Sequence, residues 1–312
     1  MTNAGAKTPR TNQAIRPWRV ALTVLVVAVV AFFLGRSIAG QWDAVRSQPW
    51  SVNLPWLLGS GLVTWLGVVW LMFLWRSVIV LLSSRPLPFW VAYRIASLAN
   101  LGKYLPGKIW SVMGLIYFLK EEGHPAPAAL AATILHQAYT LVSGILFVSV
   151  VLGVGVWGTL PIAIAGAAIA VALVVLYPPV FERVLNWGLK ILRRDPVVVR
   201  ISFARALLLY VGYTLAWVVY GAGFWMMSKG LGIDAGPFWP VVASYCGAYL
   251  VGFLALFAPG GLGVREGVLA VMLGPHLQPG LPATVAVISR LWMTVIELFG
   301  LLPLVFMRKS KN

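Results

Sequence analysis

Six ionisable side chains sit inside otherwise apolar sequence, and four of them gather at two backbone breaks. Lys103 and Lys108 flank Pro106-Gly107 in the stretch Asn100 to Met113, and Arg265 and Glu266 follow Pro259-Gly260-Gly261 in the stretch Leu256 to Val268. Arg290 and Glu297 lie in a later apolar run, seven residues apart and so on one face two helical turns away. Charge at membrane depth is costly and tends to be functional. Proline removes a backbone donor and glycine permits a turn, so a helix entering either break stops there. In lipid, such a break is tolerated only where the freed backbone lines a protein cavity or a water-filled one. Return helices are expected to begin near Lys108 and Val264. Their N-termini would present unpaired N–H groups and a positive dipole end, a setting that suits an anion and phosphate in particular. Gly260, Gly261 and Gly263 let backbone approach a ligand closely. Lys103, Lys108, Arg265 and Arg290 against Glu266 and Glu297, four cations to two carboxylates, leave a net charge of +2. A cavity built from them favours an anionic ligand, with Glu266 or Glu297 free to couple to protons.

Each residue also has a plainer use. Arg265 and Glu266 can pair with Glu297 and Arg290 as structural ion pairs. Lys103 and Lys108 can snorkel to headgroups if the first break lies shallow. Arg94 marks an interface. His136, alone in its apolar run, reads as a hydrogen-bonded packing residue rather than a proton carrier, and His124 and His276 fall in loops.

The rest of the chain sets the solvent in which these groups work. Of 312 residues, 60% are hydrophobic and only 10% charged, and mean hydropathy is +0.89. That excludes an ordinary soluble domain and makes the bilayer the relevant medium. A net charge of +16 is of the sign that nucleic acid attracts, but the basic residues sit in short inter-span segments, where positive-inside topology and anionic headgroups account for them. No nucleic-acid partner is expected. Cys246 is the sole cysteine, which leaves no intrachain disulfide or thiolate metal cage. Asp43, Asp195 and Asp234 are isolated, and there is no Asp-x-Asp, nucleotide loop or His-rich cluster. Neither a catalytic motif, a cofactor site nor a metal site is therefore expected.

Apolar runs place full spans at about 18–40, 54–76, 126–151, 159–178, 204–228 and 281–307. A basic tail, 1–17, precedes the first. Ser37-Ile38-Ala39 faintly resembles a cleavage site, but Trp18 and Trp42 flank the run as interfacial anchors, so an uncleaved span is the better reading. The stretches 88–119 and 238–275 carry the breaks and read as re-entrant helical hairpins. With both termini cytoplasmic, this arrangement puts every basic cluster on one side, including the segment 180–203 and Arg308, Lys309 and Lys311. Segment 180–203 reads as an amphipathic surface helix on the inner leaflet, its apolar face formed by Phe181, Leu185, Leu189 and Leu192. Residues 41–50 read as a second interfacial segment. Aligned on Pro106 and Pro259, the two hairpins share Pro-Gly and a glycine eight positions on, Gly114 and Gly267. The span before the first runs inward and the span before the second runs outward. The expected fold is thus an all-α polytopic membrane protein forming a single membrane domain, 18–312, with about six full spans and two re-entrant hairpins. Halves 54–151 and 204–307 form an inverted-topology repeat, as is common where a transport site lies at the midplane.

The Pro-Gly-Gly-Leu-Gly-Val-Arg-Glu run at 259–266 and the Asn100 to Trp110 stretch, in this span pattern, resemble the lysylphosphatidylglycerol synthase transmembrane family. This flippase-like region occurs fused to aminoacyl-lipid synthetases and also alone. The resemblance extends over roughly 18–307 and implies lipid translocation, with Arg265 and Glu266 as the core motif. Two departures bear on substrate. No synthetase domain is expected, and so no lysine transfer from a charged tRNA. The first motif reads Gly107-Lys108-Ile109-Trp110-Ser111, where many relatives carry Gly-Glu and a downstream Arg, so headgroup preference is expected to differ. The function expected is an inner-membrane lipid transporter of bacterial type for a phospholipid, an aminoacyl-phospholipid or a polyprenyl-phosphate. The alternative is a membrane partner for a separately encoded lipid-modifying enzyme or glycosyltransferase. Nothing in the sequence fixes an oligomeric state.

Overall fold

The computed structural model describes residues 46, 50–104, 109–153, 166, 169–170, 177–191, 193, 195–199, 201–255, 258, 261, 263–278 and 281–306. The expected spans 18–40 and, for the most part, 159–178 lie outside them, as do the tail 1–17 and nearly all of 41–50. The regular structure among the described residues is helical. Four stretches are long and apolar enough to cross a membrane: α1 (Leu54–Ser83), α4 (Ala126–Gly153, its apolar span ending at Leu152), α6 (Phe203–Gly230) and the stretch Leu281–Leu304. The protein is a multi-pass membrane protein. Local signals set the ends of α1. The Asn53 side chain accepts from Trp56 N–H at 3.4 Å, Pro55 opens the helix and Ser84, at φ +52°, ends it.

Small residues bring α1 and α6 together in antiparallel register. Ser60 Oγ donates to the Gly223 carbonyl at 2.7 Å, and further along Trp70 Nε1 donates to the Gly212 carbonyl at 2.9 Å. Lipid offers no hydrophobic drive between helices, so close backbone packing and such hydrogen bonds supply the association. Thr64 and Gly223 pack so tightly that a Cβ at 223 would lie 2.1 Å from Thr64 Oγ1. On the other side α4 runs parallel to α6. His136 Nδ1 shares a 2.7 Å hydrogen bond with the Tyr213 hydroxyl, and Trp217 Nε1 donates to the Thr140 carbonyl at 3.1 Å. His136 is a packing residue in hydrogen-bond contact.

Between these spans lie two broken pairs. α2 (Phe89–Asn100) continues through a 3-10 turn, Leu101–Tyr104, and α3 (Ile109–Glu121) returns beside it. Gly102 meets the backbone of Ser111, Ala99 meets Gly114, and Arg94 pairs with Glu122 at 2.7 Å, an antiparallel order. α7 (Phe238–Leu254) and α8 (Val264–Leu273) form the second pair, with Gly252 against Arg265, Gly247 against Met272 and Gly236 against His276. At 12, 13, 17 and 10 residues, these helices reach about 15–26 Å, short of a hydrocarbon core of about 30 Å.

The pairs open at opposite ends of α1. The first opens where α1 finishes: His124 Nδ1 lies 2.9 Å from Ser83 Oγ, and Arg85 donates to the Gly123 carbonyl. Burial, reinforced by the charge of Arg85, holds His124 below its ordinary value. The second opens where α1 begins: Asn53 N–H donates to the Gly230 carbonyl at 2.8 Å, and the loop beyond Gly230 leads into α7.

The last apolar run is a span as expected, with a turn at Gly300 between α9 (Leu281–Phe299) and α10 (Leu302–Phe306), where the Gly300 carbonyl accepts from the Tyr93 hydroxyl of α2. One element differs from expectation. Segment 180–203 does form a helix, α5 (Pro178–Ile191), but Phe181, Leu185 and Leu189 are buried within the protein cluster that includes Leu82, Leu87 and Ala129 rather than facing a leaflet. Asn186 makes this possible. Its side chain accepts from Val197 N–H and donates to the Val197 carbonyl, folding residues 195–199 back against the helix. Leu192 lies outside the described residues.

Candidate functional site

The break between α7 and α8 is built by glycines acting on one another. Gly261 has φ +71°, and a Cβ there would sit 2.7 Å from the Gly252 carbonyl oxygen. Gly252 in turn leaves room for Arg265, whose Cβ would lie 2.9 Å from an added methyl. Gly263, at φ +80°, caps α8. The chain therefore turns through a space that side chains would fill, and α8 starts at Val264 directly beside the end of α7.

This geometry separates the two motif charges. Glu266 closes its own helix end: Oε2 accepts from Gly263 N–H at 2.7 Å, and Oε1 accepts from Arg290 Nη1 of α9 at 2.7 Å. Both partners of the Arg290–Glu266 pair are about nine-tenths buried. The carboxylate thus sits on the positive end of α8 that the sequence offers to an anion, and it ties that end to α9. Arg290 and Glu266 form an ion pair.

Arg265 points the other way. Its guanidinium carbon lies 4.8 Å from the ring centre of Tyr245 and 5.1 Å from that of Tyr249, two residues one helical turn apart on α7. Nη2 of Arg265 is buried with no hydrogen-bond partner among the described residues. Tyr245 is fixed from behind by stacking on Phe224 of α6 at 4.7 Å. Tyr220 of α6 packs against the same apolar cluster as Phe224 and Tyr245. Tyr249 is more than a third exposed and forms the outer wall.

The predicted residues are thus distributed unequally. Arg265, Glu266, Arg290, Gly261 and Gly263 meet at the second break, and Glu297 lies two turns beyond Arg290 on α9. Lys103 lies in the 3-10 turn that ends α2. Pro106, Gly107, Lys108, Pro259 and Gly260 lie outside the described residues. The sequence reading missed Tyr220, Tyr245, Tyr249 and Gly252. The i, i+4 spacing of the two α7 tyrosines was a usable signal, and Gly263-x-x-Glu266 is a capping pattern.

A multi-pass membrane protein, helical in its described residues and with a glycine-built helix break carrying Arg-Glu, defines the class. The lysylphosphatidylglycerol synthase transmembrane region matches the chain over residues 20–302, and the protein belongs to that family, a membrane protein with the flippase-like domain. Comparison with curated proteins gives no match.

Proposed function

We propose that the protein carries a phosphate-bearing lipid across the membrane and that Arg265 is the headgroup ligand. The observation that carries this reading is the buried, unpartnered Nη2 of Arg265 between two tyrosine rings. A buried guanidinium donor without a partner is expensive, and a phosphate oxygen is the acceptor its fork geometry matches. Arg290 and Glu266 act as a strut that holds the start of α8 in place, rather than as headgroup contacts. Glu297, two helical turns beyond Arg290 on α9, is the residue assigned to charge or proton coupling.

On this reading the pairs α2–α3 and α7–α8 are re-entrant hairpins entering from opposite faces, and the halves 54–151 and 204–307 rock about a midplane site. Lys103 and Lys108, at the first break, supply further positive charge. The apolar groove of about 460 Å³ bounded by Leu66, Phe73, Phe89, Leu215 and Val219 suits the acyl chains, which stay outside the polar site. A phospholipid, an aminoacyl-phospholipid and a polyprenyl-phosphate all offer the phosphate. The cytoplasmic termini and inner-membrane setting rest on the basic segments, and a separately encoded lipid-modifying enzyme is the natural partner.

The test is lipid translocation in vesicles reconstituted with wild type, Arg265→Gln and Arg265→Lys. Loss of a charge-assisted hydrogen bond of about 1.5–3 kcal/mol should slow the glutamine variant about ten- to a hundredfold, with partial recovery for lysine. Wild-type rates from a correctly folded glutamine variant would sink the proposal.

A further inference from the structure

Helix α5 carries two apolar stripes, and only one of them is used inside the protein. Phe181, Leu185 and Leu189 are buried in the bundle. Val184, Trp187 and Ile191, spaced as one helical face, are 52%, 68% and 63% exposed. An exposed Trp between two exposed aliphatics is unusual unless something apolar covers it. Arg183 and Lys190 border this stripe on the side away from the core, about 80° round the helix from its middle, and Arg193 ends the helix at φ +53°. The acid within the helix is held inward, Glu182 Oε2 accepting from Val199 N–H at 3.0 Å, while Asp195, past the helix end, is exposed and leaves three cations to one carboxylate along this edge. The face left outward is therefore apolar with a cationic edge. Along the chain it leads to exposed Val198 and then to exposed Phe203 and Leu207, where the span α6 begins.

We propose that Val184, Trp187 and Ile191 insert into an anionic leaflet surface at the end of the bundle where α1 finishes, with Arg183, Lys190 and Arg193 on lipid phosphates. The stripe facing lipid is thus the one the simple amphipathic pattern does not mark. The helix is clamped on its inner side by Asn186 and the three buried residues, so it is a fixed anchor rather than one that binds and leaves. An apolar face with Trp and flanking Lys/Arg is the composition that settles in the headgroup region, and each basic residue near an anionic surface adds attraction. This surface is separate from the Arg265 cluster and stands or fails independently of it.

The experiment uses the full chain in a Cys246→Ser background, with an environment-sensitive fluorophore attached after Trp187→Cys or, separately, Lys190→Cys. Vesicles are made of phosphatidylcholine alone or mixed with phosphatidylglycerol. The label at 187 should be quenched by lipids spin-labelled near the headgroup and shielded from aqueous acrylamide severalfold better than the label at 190. Phosphatidylglycerol should increase that shielding, and Arg183→Gln with Arg193→Gln should remove the increase. Equal acrylamide access at the two positions would overturn the proposal. So would a label at 187 hidden from both quenchers, which would mean protein covers it, or shielding indifferent to lipid charge.

Discussion

Replacing Arg290 with alanine leaves the Glu266 carboxylate about nine-tenths buried, with the Gly263 N–H on its other oxygen. Breaking a buried ion pair by removing one partner costs about 3–5 kcal/mol, because the remaining charge stays desolvated, and at membrane depth little water can relieve it. Arg290→Ala should therefore destabilise the protein by about that amount. Glu266→Gln should cost a similar amount: its amide oxygen can still accept from Gly263, but the buried Arg290 guanidinium is then the charge left without its carboxylate. In Glu266→Gln/Arg290→Gln no buried charge is left and the two amides can bond each other. The double variant should then be more stable than the sum of the Glu266→Gln and Arg290→Gln changes predicts by about 2 kcal/mol or more. Reversible unfolding by sodium dodecyl sulfate in mixed micelles measures all of these. Transport then decides the role: a strut predicts that the double variant recovers activity along with stability, whereas a headgroup ligand does not. A cost below about 0.5 kcal/mol for Arg290→Ala, typical of an exposed pair, or strict additivity in the double variant, would refute the reasoning.

Other perturbations probe the elements that place this pair. Gly252→Ala puts a methyl 2.9 Å from the Arg265 Cβ and should cost about 1–3 kcal/mol, seen as an earlier unfolding midpoint. Gly261→Ala combines the same kind of clash, against the Gly252 carbonyl, with a left-handed φ that disfavours a side chain by about 1–2 kcal/mol, and transport should fall with it. Trp292→Phe removes the 2.9 Å bond to Ser60 Oγ and should cost about 0.5–1.5 kcal/mol in the same unfolding titration. Burial and the nearby Arg85 charge hold His124 below the ordinary imidazole value, so folding favours neutral imidazole. That contribution is complete above the unfolded value and is lost as pH falls from there through the lower folded value. Unfolding midpoints measured across that window should drop on acidification for wild type and flatten for His124→Gln.

How much of this was legible beforehand differs from element to element. The long spans were, because 28–30 apolar residues such as α1, α4 and α6 can only be helices in lipid. The breaks were legible too, since proline and glycine act on the backbone locally. The pairing inside the site was not. Glu266 could reach Arg290 or a ligand, and only the packing of α8 on α9 selects between them. The tyrosine walls belong to α6 and α7, and their meeting with Arg265 depends on Gly252 lying opposite it, a contact made across the break. α5 shows the same limit. Its periodicity revealed an apolar stripe, but only the fold of 195–199 back onto it determines which stripe the protein covers.

The central claim is that Arg265 holds a lipid phosphate, and electron cryo-microscopy of the wild-type protein in phospholipid nanodiscs tests it most directly. The account predicts headgroup density within hydrogen-bond reach of Arg265 Nη2, beside Tyr249, with the Arg290–Glu266 pair intact. A space at Arg265 filled by a protein carboxylate, with headgroup density instead on a separated Arg290, would contradict it.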